Sequence, residues 1–227
     1  MGRQLPQRPS SLAGSSPRGR GGAVVRERRR IGLDPGAIGL AEPTDSHRSE
    51  RFRGALRSFA TGVTVVTSAG PDGPCGVTVN AFTPVSLSPP LVLVCLNAES
   101  SAGRAIERDG VFAVNILSGE QESLSRRFAS PTRPRGQAAF HGVAHRSGST
   151  GAPLLDGVAC WLDCRVSEFH RAGDHVVVIG QVCDFASDPG REPLVFHAGR
   201  YRVAQDRDQG VPVVPVFHPL PTSPGGR

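Results

Sequence analysis

Residues 75–101, CGVTVNAFTPVSLSPPLVLVCLNAESS, limit the fold more than any other stretch. The segment opens with an alternating strand, breaks at Thr83-Pro84, crosses a double proline, and carries no polar residue from Leu91 to Leu96. Strand-like runs recur at 62–68, 76–82, 111–117, 158–169, 175–185 and 193–203, with turn residues at PDGP (71–74) and HRAGD (170–174) between them. The first two runs read as a hairpin. Only short helices interrupt this series. Phe52, Ala55, Leu56 and Phe59 fall at i, i+3, i+4 and i+7 behind a Ser49 cap, which predicts an amphipathic helix. SSAGRAIERDG predicts a second helix, closed by Gly110 in a left-handed cap. SGEQESLSRRF predicts a third, with Ser118 and Gln121 as a capping box and Leu124 and Phe128 on one face. About seven strands with two or three marginal helices favour a mainly β antiparallel barrel over a doubly wound sheet.

The remaining chain reads as tails. Residues 1–48 are Arg-, Pro- and Gly-rich without a period and are expected to be disordered. Residues 49–204 form the domain, and 205–227 a Pro-rich extension whose VPVVPVF segment suits the surface of a partner subunit. The formal charge is +6, but residues 1–50 hold nine Arg against five acids, leaving seventeen against fifteen for the rest. A phosphate-backbone stripe needs more charge on the folded part, so nucleic acid is not an expected partner. All 26 basic residues are Arg, which excludes Schiff-base and P-loop lysine chemistry. RERRR at 26–30 is followed by no apolar run, and no stretch approaches a membrane span, so a cytoplasmic, soluble protein is expected. The five cysteines read as reduced thiols. Cys160 and Cys164 lie four residues apart on one strand, ~13 Å, too far for a disulfide.

No catalytic triad, zinc spacing, Walker loop or strand-led GxGxxG occurs in the sequence. A cofactor fits that gap. A flavin needs an apolar wall, a polar backbone edge and an anion site. Thr78 and Asn80 share a strand face, Thr83-Pro84 is expected to free backbone groups, and Ser100 and Ser101 open a helix whose N-terminus favours phosphate. The same features are also ordinary parts of an edge strand and a helix cap.

The ordered set FRGALRSFATGVTVVTS, GVTVNAFTPVSLSPPLVLVCLN, SS, GVFAVNIL, FAS, GAPLLDGVACWLDC, GDHVVVIGQV and PLVFHAGRY resembles the flavin reductase family with the split-barrel FMN-binding fold, over residues 50–203. More narrowly, it looks like the small reductase component of two-component flavin-dependent monooxygenases. The resemblance implies a split β-barrel, FMN or FAD as flavin, NADH or NADPH as hydride donor, a homodimer with the site between subunits, and a monooxygenase that receives reduced flavin. It places Val77, Thr78, Val79, Asn80, Ala81, Phe82 and Ser86 along the flavin ring and ribityl, Cys95, Leu96 and Asn97 on the ring's other edge, and Ser100 and Ser101 toward the phosphate. Phe128 matches an aromatic near the flavin. Gly173, Asp174 and His175 match a Gly-Asp-His on the nicotinamide side, His175 as the catalytic candidate, with His197 and Tyr201 near the same pocket.

Many relatives carry Ser at Ala81, a basic residue near Ala98, Thr near Ala102 and Arg near Ala198. Losing a hydroxyl and a cation costs about 1–3 kcal/mol of binding, which implies exchangeable flavin. From position alone, His175 also reads as a solvated hairpin residue, His197 as a packed strand-end histidine, and Arg104 as a helix arginine paired with acids. Trp161 reads as a ligand platform or, preferably, a dimer-interface residue. The competing functions are a non-catalytic flavin carrier of the same fold and an Arg-rich binder of acidic surfaces through residues 1–30.

Overall fold

The structure, a computed structural model, describes residues 46–70 and 73–204, all within the unit Asp45–Arg227. Residues 1–45 and 205–227 of the expected tails and Pro71-Asp72 of the PDGP turn lie outside the described residues, while residues 46–48, expected to be disordered, begin a helix. The elements run α1 (Ser46–Leu56), β1 (Thr61–Gly62), β2 (Thr64–Ser68), β3 (Cys75–Val79), β4 (Phe82–Leu87), β5 (Pro90–Asn97), α2 (Ser101–Asp109) and β6 (Val111–Ile116). They continue with α3 (Glu122–Ala129), β7 (His145–Ser147), β8 (Pro153–Leu155), β9 (Cys160–Ala172), β10 (His175–Ser187), β11 (Leu194–His197) and β12 (Arg200–Val203). Seven strands pair in the order β3-β2-β6-β9-β10-β5-β4, every pairing antiparallel.

The strands at the two ends of that order, β3 and β4, are consecutive in the chain and separated only by Asn80 and Ala81. The sheet must therefore curl until its edges meet at this corner, which makes it a barrel. Its interior is filled by Val66, Val79, Val92, Val94, Leu96, Ile106, Phe112, Val114, Cys164, Val176 and Val178. The thirteen-residue strands β9 and β10 cross from one half to the other, with register shifts at Ile179/Gly180 and Val182/Asp184 that re-aim the hairpin. β1, β11 and β12 form a separate three-stranded sheet, and a second cluster of Val63, Val65, Leu117, Phe128, Phe140, Leu155 and Leu194 lies outside the barrel.

The chain departs from the sequence expectations at several points, each with a local cause. The first strand of residues 75–101 ends at Val79, not at Thr83-Pro84; Pro84 lies inside β4, at the sheet edge, where its missing N–H leaves no ladder bond unmade. Helix α1 starts at Ser46, so Ser49 is internal to it rather than its cap. Its apolar stripe faces solvent: Phe52 is 64 % exposed, Leu56 56 % and Phe59 75 %. The two long strands reach to a two-residue Gly173-Asp174 turn, so His170, Arg171 and Ala172 are strand residues. Gly173, at φ 63, takes the first turn position, which a side chain would strain. Trp161 is packed within the chain, half-buried against the second cluster with the Arg146 guanidinium 4.7 Å above its ring.

Other expectations hold. Ser100 caps α2 by accepting from the Gly103 N–H at 2.9 Å, and Gly110, at φ 67, closes it. The Ser118 N–H donates to Gln121 Oε1 at 3.1 Å. All five cysteines are free thiols. Burial pushes the Cys164 thiol well up, with nearby Asp163 and Cys183 adding to it, whereas Cys183 is exposed. Iodoacetamide is therefore expected to modify Cys183 first and Cys164 on the order of 100-fold more slowly, at the rate of unfolding. Mass spectrometry of a labelling time course reads the order, and early modification of Cys164 would contradict the barrel interior.

Candidate functional site at the barrel corner

The corner where the sheet edges meet gathers residues from four elements. The Cys95 N–H donates to the Ala81 carbonyl at 2.9 Å, which carries the β4–β5 pairing one step beyond Phe82↔Val94 and brings Asn80 and Ala81 beside the end of β5. On the other side of β5, β10 pairs His175 with Asn97, Val176 with Leu96 and Val177 with Cys95. The Ala98 N–H donates to the Asp174 carbonyl at 3.0 Å and ties the turn to the loop before α2. Asn80, Ala81, Asn97, Asp174 and His175, all exposed, therefore share one end of the barrel with the N-terminus of α2.

The side chains differ in how free they are. Thr78 donates through Oγ1 to the Ser125 carbonyl at 2.7 Å, and Ser125 Oγ lies 2.9 Å from the Tyr201 hydroxyl. Thr78 and Tyr201 are thus joined through α3, with Arg126 4.9 Å over the Tyr201 ring. Asn97 Oδ1 accepts from the Glu99 N–H at 2.8 Å, leaving its Nδ2 for another partner. The Ser100 hydroxyl is used in its cap, and Ser101 begins the helix half-exposed. Arg104 donates to the Glu99 carbonyl at 2.6 Å and lies 3.8 Å from its carboxylate, the paired state that its helix position suggested.

His175, its side chain 46 % exposed, places Nδ1 2.8 Å from Asp174 Oδ1. That hydrogen bond, then the charge of His175, with Arg53 farther off, hold the Asp174 carboxyl below the usual carboxylate range. The Asp174 carboxyl therefore stays ionised to lower pH than a free one, and the contact loses its carboxylate as pH falls through the lowered value. Cys95 is shifted the opposite way, its thiol raised by burial.

Several predicted residues stand elsewhere. Val77, Val79 and Leu96 point into the barrel core, and Phe82 packs against it half-buried. Ser86 pairs with Leu91, four residues along β5 from Cys95 and so ~13 Å from the corner. Phe128 is fully buried against Phe140, ring centroids 5.2 Å apart, and cannot reach a ligand unless its neighbours move. His197 is half-buried on β11, next to Phe196, whose ring lies 5.4 Å from that of Tyr201.

Sequence reasoning missed Arg53 and Arg57 at the corner. A cleft of about 240 Å³ is lined by Arg53, Leu56, Arg57, Phe59, Asn80, Phe196 and Ala198, so α1 and β11 both border the predicted site. The available signal was two arginines spaced i, i+4 on one helix. A larger hollow of about 560 Å³ between Ser118–Glu120, Asp188–Glu192 and Val203 contains none of the predicted residues. Its Arg191 is already held by Asp188 at 2.9 Å and Glu120 at 3.7 Å. The smaller cleft, which holds Asn80, is the better candidate.

The corner meets the needs of a flavin on its own terms. The outward side chains of Leu93, Cys95, Val177 and Ile179, opposite in parity to the core set, make a half-buried apolar wall. Asn80, Ala81 and Asn97 supply amide and backbone partners beside it, and α2 presents a positive helix end. A closed antiparallel barrel with this constellation defines a class: β-barrel proteins that hold a flat, polar-edged cofactor against a sheet. Residues 56–205 match the family described as flavin reductase like domain, and the chain belongs to that family. It is 39 % identical over 172 residues to an NADH-dependent FAD reductase of Streptomyces globisporus, covering 75 % of this chain and 94 % of the relative. It is 38 % identical over 151 residues to the flavin-dependent monooxygenase reductase subunit HsaB of Rhodococcus jostii, covering 66 % and 75 %. Among solved structures, an NADH:FAD oxidoreductase of Streptomyces globisporus in complex with NAD and FAD fragments superposes with a TM-score of 0.66 at 37 % identity, covering 74 % of this chain and all of that one. No helix among the described residues is long and apolar enough to cross a membrane.

Proposed function

We propose that the protein is an NAD(P)H:flavin oxidoreductase that reduces FMN or FAD and supplies the reduced flavin to a separate monooxygenase component. The observation that carries this reading is the β5–β10 pairing of Asn97 with His175. It sets the residues matched to the flavin side and those matched to the nicotinamide side next to one another on adjacent strands, in a chain of the flavin reductase family. The flavin, when bound, accepts at N5 the hydride leaving the nicotinamide ring, with a solvent proton completing the two-electron reduction. The protein's contribution is orientation, which needs no side-chain nucleophile. Asn80 and Asn97 present amides to the ring edge, the α2 N-terminus faces the phosphate, and His175, aligned by Asp174, positions the nicotinamide. The assigned domain is 49–204.

The same surface supports a homodimer. Leu91, Leu93, Cys95, Val177 and Ile179 on the outward sheet face and the Phe52, Leu56, Phe59 stripe lack an intramolecular cover sufficient to bury them, the mark of an association surface. Exchangeable flavin accords with alanine at positions 81, 98 and 102.

Absorbance at 340 nm, with FMN and FAD each added in excess, tests the activity. Wild type is expected to consume NADH only with added flavin. His175→Ala is expected to lose about tenfold in kcat/KM for the nicotinamide, ~1.4 kcal/mol, with flavin binding kept. Flavin binding without any NADH consumption would instead mark a non-catalytic carrier.

A further inference from the structure

We propose that Arg53 and Arg57 form a clamp for the diphosphate of the nicotinamide dinucleotide, at the cleft bordered by Phe59, Asn80 and Phe196. The inference rests on the oxidoreductase reading and assigns to α1 a part of the substrate site that the sequence resemblance leaves empty.

Two observations carry it. First, Arg53 and Arg57 are four residues apart at the end of α1, with the Arg57 N–H donating to the Arg53 carbonyl at 3.1 Å, and among the described residues neither lies within 4 Å of a carboxylate. Like charges at this spacing repel, so the pair is better satisfied by an anion placed between them. Arg104 and Arg171, by contrast, are engaged, with Glu99 and with Glu107 at 3.6 Å. Second, the cleft has the mixed chemistry of a nucleotide site: two cations, the Asn80 amide, and apolar walls from Leu56, Phe59 and Phe196. At about 240 Å³ it holds a phosphate and sugar segment rather than a whole dinucleotide.

Its placement selects the ligand. The Ala198 N–H donates to the Arg57 carbonyl at 3.1 Å, which fastens the β11–β12 turn to the end of α1 and fixes where the arginines stand. The arginines share their cleft with Asn80, which the Ala81–Cys95 hydrogen bond sets beside the end of β5, and β5 pairs there with the start of β10 at His175. A nicotinamide at His175 trails its diphosphate toward neighbouring cations. The N-terminus of α2, which is not part of this cleft, is left as the candidate for the flavin phosphate.

The test uses Arg53→Gln, Arg57→Gln and the double variant in the full chain, with far-UV circular dichroism and melting temperature as fold controls. Equilibrium titration with NADH, followed by its fluorescence, reads binding without turnover. Kd is expected to rise about 5-fold in each single variant and about 20-fold or more in the double. The steepness of Kd with added salt should fall in parallel. In steady state, the KM for NADH should rise similarly with kcat within twofold, and the KM for FMN and for riboflavin should stay as in wild type. Unchanged NADH affinity in the double variant would overturn the clamp. So would a rise in KM for FMN but not riboflavin, which places the flavin phosphate there, or a loss confined to NADPH, which places only a 2′-phosphate there. A wild type that binds NADH but never oxidises it would refute the oxidoreductase reading, while the titration would still decide the clamp.

Discussion

Phe112→Ala is expected to destabilise the domain by about 3–5 kcal/mol, the largest effect of any single substitution considered. Phe112 on β6 is fully buried in the centre of the barrel and faces Gly180 on β10. A Cβ built on Gly180 would crowd the ring and stand 2.7 Å from its Cε1 and 3.2 Å from Cys164 Cβ. The ring thus occupies the volume a side chain at 180 would need, beside the register shift at Ile179/Gly180. Truncation leaves a cavity that a closed sheet cannot collapse into. The reverse change, Gly180→Ala, overpacks the same space and should cost about 1–3 kcal/mol. Urea denaturation of Phe112→Ala reads the cavity, and that of Phe112→Leu, of Gly180→Ala and of the two combined checks the pairing. The double variant should be more stable than the sum of the singles predicts, because the smaller side chain accepts the added methyl. Strict additivity would show that the two residues do not share that volume.

Asp163→Ala should cost about 3 kcal/mol, through unpaired donors rather than lost packing. The carboxylate is fully buried on β9 and accepts from Ser149 Oγ at 2.8 Å, from the Thr150 N–H at 2.9 Å and from Thr150 Oγ1. The loop wraps it so closely that a Cβ on Gly148 would stand 2.8 Å from its Cγ. Without the carboxylate, three donors lose their acceptor and the 148–151 loop loses its anchor. Trypsin is expected to cut after exposed Arg146 several-fold faster in the variant, while Asp163→Asn, which keeps one acceptor oxygen, should fall between. A melting temperature for Asp163→Ala within one degree of wild type would remove the anchor role.

Much of the strand and helix content was legible in the sequence because it depends on neighbours three or four residues apart. Ser100 and Gly110 marked the ends of α2, and the parity of Leu162, Cys164 and Val166 marked the core face of β9. Errors arose where a local rule met a non-local setting. Pro84 looked like a strand break, yet an edge strand has no inward partner for the N–H that proline lacks. Phe128 was correctly placed with Leu124 on one helix face, but that face packs against Gly76 and Phe140 rather than a ligand.

The candidate site shows the same division. Asn80, Asn97 and the Gly173–His175 turn were recognisable one at a time, each from a short motif. Ser86 was assigned to the same site on sequence proximity, although extended backbone carries it ~13 Å away. Arg53 and Arg57 lie inside the FRGALRSFATGVTVVTS run, but sequence alone makes them only the polar side of an amphipathic helix and gives them no part in the site.

From the sequence alone came the alternation of strands, the turn residues, the absence of lysine and of a nucleophilic triad, and with them a mainly β protein suited to a cofactor. Those properties are local or compositional, and residue order is enough to state them. Only the tertiary structure decided that β3 and β4 close the barrel at Asn80-Ala81, that Asn97 faces His175, and that Arg53 and Arg57 border the same corner. Strand order and register join residues far apart in the chain, and they are set by the packing of Phe112 and its neighbours inside the barrel, which no short window of sequence contains.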